Sequence, residues 1–233
     1  MSVEVVTVPE KKGEEIIPKI KAVVEDRSRI IAKRFGMEVQ DVEVRLYHNK
    51  GALVGNLGPN VESLGIFAGY VDHTNILHLI HPEAVGPVFG DNIDKEISIL
   101  VDYTLTKFYL CMKYFPNQED FRLFHKYISD SLADVSSGKL KKNMLSMEFK
   151  NYDPERKYKK DIELNMVLFV LREMGGIDSI YAHLDEIMKD MDIKKTLHNA
   201  YHKSVLEIIK PYKDEAEANH KALLQRFKPG RRR

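Results

Sequence analysis

A run of apolar residues from Ile97 to Phe115 constrains the fold more than any other feature of the chain. It is long enough for a transmembrane helix, but it contains Asp102, Lys107 and Lys113, and charges near the middle of a membrane span are costly. Its apolar residues cover nearly the whole circumference of a helix rather than one stripe. We therefore predict a helix from Ile93 to Tyr114 that is buried in a protein core.

The composition is that of a globular protein and excludes several classes of partner. The chain has 233 residues, of which 43% are hydrophobic and 30% charged, so it is not intrinsically disordered. The net charge of +1 gives no general attraction to nucleic acid or acidic membranes. A single cysteine, Cys111, excludes an internal disulfide framework. The first residues lack the pattern of a secretory signal, so we expect a cytoplasmic protein with no membrane partner.

The first half of the chain predicts a helix and a small antiparallel sheet. Apolar residues at three- and four-residue steps predict a helix from Glu14 to Phe35, and alternation predicts a strand over Val42 to Tyr47. Leu64 to Val71 and Ile76 to Ile80 are typical of a β-hairpin. The intervening segment Asn49 to Asn60 is rich in glycine and asparagine, and we interpret it as a mobile loop over the sheet.

The second half predicts helices only. The segment Lys139 to Lys160 is polar and rich in lysine, so we interpret it as a loop or hinge. The order of elements predicts an α+β fold, with one unit over residues 1–138 and a helical subdomain over 139–233, or one continuous domain. The predicted helices of this half are Asp120 to Ser136, Asp161 to Met174, Ile177 to Met188, Ile193 to Ile209 and Pro211 to Phe227.

Several local strings resemble the gluzincin-type zinc metallopeptidases. LVDYTLTKFYLCMKYFP, Leu100 to Pro116, resembles their active-site helix, and ISDSLADVSSGK, Ile128 to Lys139, resembles the glutamate-bearing helix that follows it. LGIFAGYVDHTNILHLIHPEA resembles the hairpin that precedes the motif. The resemblance covers roughly residues 20 to 210. It implies a sheet whose edge strand binds substrate, then a helix with an H-E-x-x-H motif, then a helix that supplies a third zinc ligand.

The register of that resemblance places four residues at the catalytic positions. Asp102 and Thr106 occupy the two histidine positions, Tyr103 the position of the general base and Asp130 that of the third ligand. Threonine is not a usual zinc ligand, and tyrosine is not a carboxylate base. No H-E-x-x-H string occurs elsewhere in the chain. We therefore predict a degenerate site, a pseudoenzyme with no catalytic residue, no metal ligand and no cofactor.

Asp102 and the histidines each admit a second interpretation. Asp102 is either a relic ligand or a core carboxylate bonded to Thr106 or to a basic residue from another segment. His73, His78 and His81 cluster in the predicted hairpin, and we interpret them as its polar faces.

The expected function is the binding of a peptide or protein partner in a remnant cleft, without catalysis. An extended peptide would add to the sheet edge at Leu64 to Val71 or Ile76 to Ile80, where Gly65 and Gly69 permit close approach of a backbone and His78 lies beside it. A covered edge that binds nothing is the alternative. Two other functions stay open: a hydrolase with a rebuilt site that uses Asp102, Asp130 and a hairpin histidine, and an assembly subunit that docks through the final helix.

Overall fold

The computed structural model describes residues 2–8, 14–57, 61–64, 67–71, 74–84, 88, 92–115, 123–153, 160–190 and 193–226. The chain divides into two units, Met1–Lys139 and Leu140–Arg233. This division lies one residue from the boundary that the sequence predicts at 138. The fold is of the α+β class, with a helical C-terminal half.

In its described residues, the first unit contains one sheet, four α-helices and two short 3-10 turns, Glu14–Ile16 and Pro82–Ala84. The strands are β1 Val3–Val8, β2 Val42–Tyr47, β3 Val61–Leu64, β4 Ala68–Val71 and β5 Ile76–Ile80. The helices are α1 Ile17–Phe35, α2 Lys50–Leu57, α3 Ile93–Tyr114 and α4 Leu123–Ser136.

The sheet is mixed, in the order β1-β2-β5-β4-β3. β1, β2 and β5 are parallel, whereas β4 is antiparallel to both of its neighbours. The predicted hairpin is present as β4 and β5, but Leu64, predicted as the start of its first strand, ends β3 instead. The prediction of a purely antiparallel sheet is wrong, because crossover connections place β1 parallel to β2 and β2 parallel to β5. The sequence analysis missed β1, which α1 connects to β2.

α3 is the most enclosed helix of the first unit, and its bounds are those predicted. Every residue from Ile99 to Cys111 is buried. α3 contacts α1, α4 and strands β3, β4 and β5, which explains why apolar residues cover its circumference. The side chain of Asn92 caps its first turn by accepting a hydrogen bond of 2.9 Å from the Lys95 amide. No helix in the described part of the chain is long and apolar enough to cross a bilayer.

α2 replaces the loop predicted over Asn49 to Asn60. The Asn49 side chain accepts a hydrogen bond of 2.8 Å from the Ala52 amide and so begins the helix. Leu53 and Leu57, four residues apart, are buried on one face. The loop interpretation is therefore wrong for this part, because burial of these leucines outweighs the low helix propensity of the glycines.

The second unit is helical. Phe149, Phe169 and Tyr212 form an aromatic cluster with ring centroids 5.3 to 6.3 Å apart. Phe149 lies on a short helix, Ser146–Lys150, inside the segment predicted as a loop. The prediction of an uninterrupted loop from Lys139 to Lys160 is therefore wrong. The helices are α5 Ser146–Lys150, α6 Lys160–Gly175, α7 Ile177–Ala182, α8 Leu184–Asp190, α9 Ile193–Tyr201 and α10 Val205–Arg226.

The last two helices divide at Ser204 and not at Pro211. The Glu207 amide donates to the Ser204 hydroxyl over 3.2 Å, and the Glu207 carboxylate accepts from the Ser204 amide over 2.7 Å. This reciprocal pair is a capping box, which begins α10 six residues before the predicted start. Pro211 lies inside α10, so the predicted break at that proline is wrong.

Truncation of Leu105 tests the burial of α3. This side chain is fully buried, so Leu105→Ala should lower the free energy of unfolding by about 2–5 kcal/mol. Met112→Ala, at a residue of the same helix that is 39% exposed, is the control and should change it by about 0.5 kcal/mol or less. Urea unfolding measures both, and equal effects would contradict the assigned orientation of the helix.

Candidate functional site

Of the catalytic positions implied by the resemblance, Asp102, Tyr103 and Thr106 lie on α3, and Asp130 lies on α4. Successive helical residues are about 100° apart, so Asp102 and Tyr103 are directed to different neighbours. Asp102 reaches Arg27 on α1, whereas Lys107, one turn after Tyr103, reaches Asp130 on α4.

Asp102 forms a bidentate ion pair with Arg27. Nε and Nη2 of Arg27 donate to Oδ1 and Oδ2 of Asp102, each over 2.5 Å. Burial raises the pKa of Asp102, and the hydrogen bonds and charge of Arg27 oppose that rise. Of the two interpretations of Asp102, the structure supports the core carboxylate held by a basic residue of another segment.

Tyr103 and Asp130 meet through a buried lysine. Lys107 Nζ donates to Asp130 Oδ1, and the same nitrogen lies 5.1 Å from the centroid of the Tyr103 ring. The Lys107 side chain is 0% exposed and that of Asp130 is 35% exposed. The Lys107 ammonium therefore lies against the Asp130 carboxylate and the Tyr103 ring.

A second lysine approaches the same ring. Lys139 Nζ lies 5.8 Å from the Tyr103 centroid and 2.8 Å from Oδ1 of Asp134. Burial raises the pKa of Asp134, and Lys139 opposes that rise. Tyr103 is thus near two ammonium groups, an environment suited to holding a ring in place and not to activating water.

In the described part of the chain, neither Asp102 nor Asp130 belongs to a group of three metal-ligating side chains. The hydroxyl of Thr106 is buried and has no hydrogen-bond partner among the described residues. The structure brings Tyr103 close to Asp130 through Lys107 and directs Asp102 to α1.

Sequence reasoning missed the basic residues of this region. Arg27 and Lys139 lie on ordinary amphipathic or polar segments, where nothing local distinguishes them. Lys107 did carry a local indication, since a lysine inside an apolar run needs a buried counter-charge.

The predicted peptide edge is wrong for both strands. β5 has β2 and β4 as neighbours, and β4, which contains Gly69, has β5 and β3, so neither presents a free edge. Gly65 lies outside the described residues. His78 is buried, with its Nδ1 2.9 Å from the Tyr47 hydroxyl oxygen. Strands β1 and β3 form the edges of the sheet.

A groove lies between the end of the β4–β5 hairpin and the C-terminal half of α3. It encloses about 810 Å³. On α3, Phe108 is about 140° around the helix from Tyr103. The groove therefore lies on a different face of the helix from Tyr103, which contacts Lys107 and Lys139. We call it the hairpin groove. Its described lining residues are Gln40, Asp41, Tyr70, Thr74, Asn75, Ile76, Phe108, Cys111, Met112 and Phe115.

Comparison with known proteins yields no relative: no family model, no curated protein and no solved structure matches this chain.

The buried His78 predicts a specific dependence of stability on pH. The pKa of His78 is lowered to about 4 from its ordinary 6.5. Burial is the larger cause, and the positive charge of Arg45 is the second. The unfolded chain therefore binds this proton at a higher pH than the folded chain does. The contribution of neutral His78 to the stability of the folded chain is therefore complete above about pH 6.5 and is lost as the pH falls toward 4.

Comparison of the wild type with His78→Gln isolates this contribution. Between pH 7 and about pH 4.5 the wild type should lose about 2 kcal/mol more unfolding free energy than the variant. Urea unfolding at both pH values measures the difference, and His198→Gln, at an exposed histidine, should behave like the wild type. An NMR titration that gives His78 an ordinary pKa would contradict the assignment.

The Lys107–Asp130 pair predicts an asymmetry between its two partners. Asp130→Asn removes the carboxylate that accepts a hydrogen bond from a buried ammonium and should cost about 2 kcal/mol of unfolding free energy. Lys107→Met removes the buried charge and keeps an unbranched side chain, so it should cost less. Asp94→Asn is the control, since it disrupts an exposed Lys19–Asp94 pair and should cost about 0.5 kcal/mol or less. A larger loss for Lys107→Met than for Asp130→Asn would contradict this account.

Proposed function

We propose that the chain is a non-catalytic, metallopeptidase-like protein that binds an extended peptide segment of a partner protein in the hairpin groove. The observation that carries the proposal is the pairing of the two candidate ligand carboxylates with the chain's own cations. Asp102 is bonded to Arg27 and Asp130 to Lys107. The order of the elements, a sheet followed by α3 and α4, supports the metallopeptidase-like part.

Basic side chains at these positions disfavour hydrolysis. A catalytic zinc site needs three protein ligands around one ion and an open position for water. A zinc ion at Asp102 or Asp130 would have to displace a guanidinium or a buried ammonium and then lie near that positive charge. The alternative of a hydrolase rebuilt on Asp102 and Asp130 requires both displacements at once.

The hairpin groove has the features of a peptide site. Its volume falls within the range of about 300–1,000 Å³ that is usual for binding pockets. Met112, which is 39% exposed, provides an apolar surface for peptide side chains, and the buried rings of Phe108 and Phe115 line the groove beside it. Gln40 and Thr74 offer polar groups beside it that can fix the peptide backbone.

A second candidate function is assembly through α10. Leu223 and Leu224, near the end of this helix, are 50% and 54% exposed. Adjacent exposed leucines on a charged helix are a typical docking surface for another protein.

Peptide selection tests the proposal and separates these functions. Linear peptides selected from a random display library on the wild-type protein should perturb amide resonances of the β4–β5 hairpin and of the C-terminal half of α3. Met112→Lys places a charge in the groove and should weaken binding at least about tenfold. Met174→Lys makes the same change at an exposed methionine of α6 and should leave the affinity unchanged. The peptides should remain intact by mass spectrometry.

Two results would overturn the proposal. Perturbations confined to α10 would favour the assembly function. Cleavage of the peptides that is lost in both Asp102→Asn and Asp130→Asn would favour the rebuilt hydrolase.

A further inference from the structure

A second cluster of polar side chains lies where the three parallel strands end. The carboxyl ends of β1, β2 and β5 meet at one edge of the sheet, because parallel strands share a direction. His48 directly follows β2 and His81 directly follows β5. Backbone hydrogen bonds hold these ends together: the His48 amide donates to Val8 over 3.3 Å, and the His81 amide donates to Tyr47 over 2.8 Å. In open sheets with parallel strands, this edge is the usual place for a ligand.

Three metal-ligating side chains converge at this edge. Glu15, His81 and Glu83 each offer one ligand atom, and these atoms all lie within 4.8 Å of one another. Glu15 belongs to the 3-10 turn that leads into α1, and Glu83 to the turn after β5. The Ala84 amide donates to the His81 carbonyl over 2.9 Å and closes the turn that brings Glu83 back toward His81.

His81 carries an independent indication of a ligand. It is only 4% exposed, and its Nε2 atom has no hydrogen-bond partner among the described residues. A buried polar atom without a partner is costly, so its presence on the imidazole of this cluster points to a ligand. The His48 ring stacks on the His81 ring with centroids 5.3 Å apart and restrains its orientation.

We propose that Glu15, His81 and Glu83 bind one divalent transition-metal ion of the zinc and manganese class. One neutral imidazole and two carboxylates supply the nitrogen and oxygen ligands that these ions accept, and their summed charge matches that of the ion. The imidazole makes the set less suited to Ca²⁺ or Mg²⁺, which prefer oxygen. Both glutamates are exposed, so water can complete the coordination.

This site is separate from the proposed peptide function. It shares no residue with the hairpin groove or with the four α3 and α4 positions. It also departs from the sequence-based expectation of no metal ligand, which treated His81 as one polar face of a hairpin.

Metal titration of the full chain tests the site. Protein treated with EDTA and dialysed should bind one Zn²⁺ per chain by isothermal titration calorimetry. Mn²⁺ should bind more weakly, following the usual order of affinities, and should broaden amide resonances around His81. Glu15→Gln and Glu83→Gln should each weaken Zn²⁺ binding at least about tenfold, and the double variant more. These exposed positions tolerate substitution, whereas replacement of the buried His81 risks the fold.

Glu4→Gln is the matched control. It makes the same change at an exposed glutamate in the amino-terminal half of β1, and it should bind Zn²⁺ as the wild type does. The proposal is overturned if the double variant retains wild-type affinity, if saturable binding is absent, or if Mn²⁺ broadens resonances at the exposed His198 and His202 and not at His81. Equal weakening by Glu4→Gln would also overturn it.

Discussion

Burial of α3 from Ile99 to Cys111 places two opposite charges in the interior. Asp102 and Lys107 both lie on the stretch of α3 in which every residue is buried, and an unpaired charge there would be very costly. Arg27 on α1 and Asp130 on α4 meet this requirement from two directions. The two ion pairs therefore hold α1 and α4 against α3 in one orientation, in addition to the apolar contacts, because breaking either pair leaves a buried charge.

The same two pairs restrict what the region can do chemically. A carboxylate that is already bonded to a guanidinium or an ammonium is a poor metal ligand, so the proposed function places no zinc chemistry at Asp102 or Asp130. Peptide binding without catalysis does not require these carboxylates to be free, and the hairpin groove lies on another face of the same helix. The proposed metal site lies at the carboxyl ends of the parallel strands and depends on neither pair. Structure and proposed functions thus divide among three separate regions of the first unit.

The sequence predicted some elements to the residue and missed others for identifiable reasons. α3 and β5 have the predicted bounds, because their apolar patterns are strong and their ends carry turn residues. β1 is a short apolar run, and only its pairing with β2 makes it a strand. α2 contains two glycines that suggest a loop, and its helix depends on burying Leu53 and Leu57. The sequence singled out Asp102 and Asp130 but did not identify the basic residues that pair with them. It also did not predict the cluster of Glu15, His81 and Glu83, since Glu15 and His81 are far apart in the chain.

The sequence by itself determined the α+β class, the buried helix and the absence of an H-E-x-x-H string, because periodicity and residue type are local properties. The tertiary structure alone decided which charges meet. Arg27 is 75 residues from Asp102 and Asp130 is 23 from Lys107, so no local pattern links them. The tertiary structure also decided that the sheet is mixed. Because β2 lies beside β5 and β3 beside β4, neither β4 nor β5 has the free edge that the sequence predicts. The parallel strands β1 and β5 end on the same side of the sheet, which brings Glu15, His81 and Glu83 together. Pairing between distant segments depends on how the helices and strands pack, and packing is a property of the whole chain.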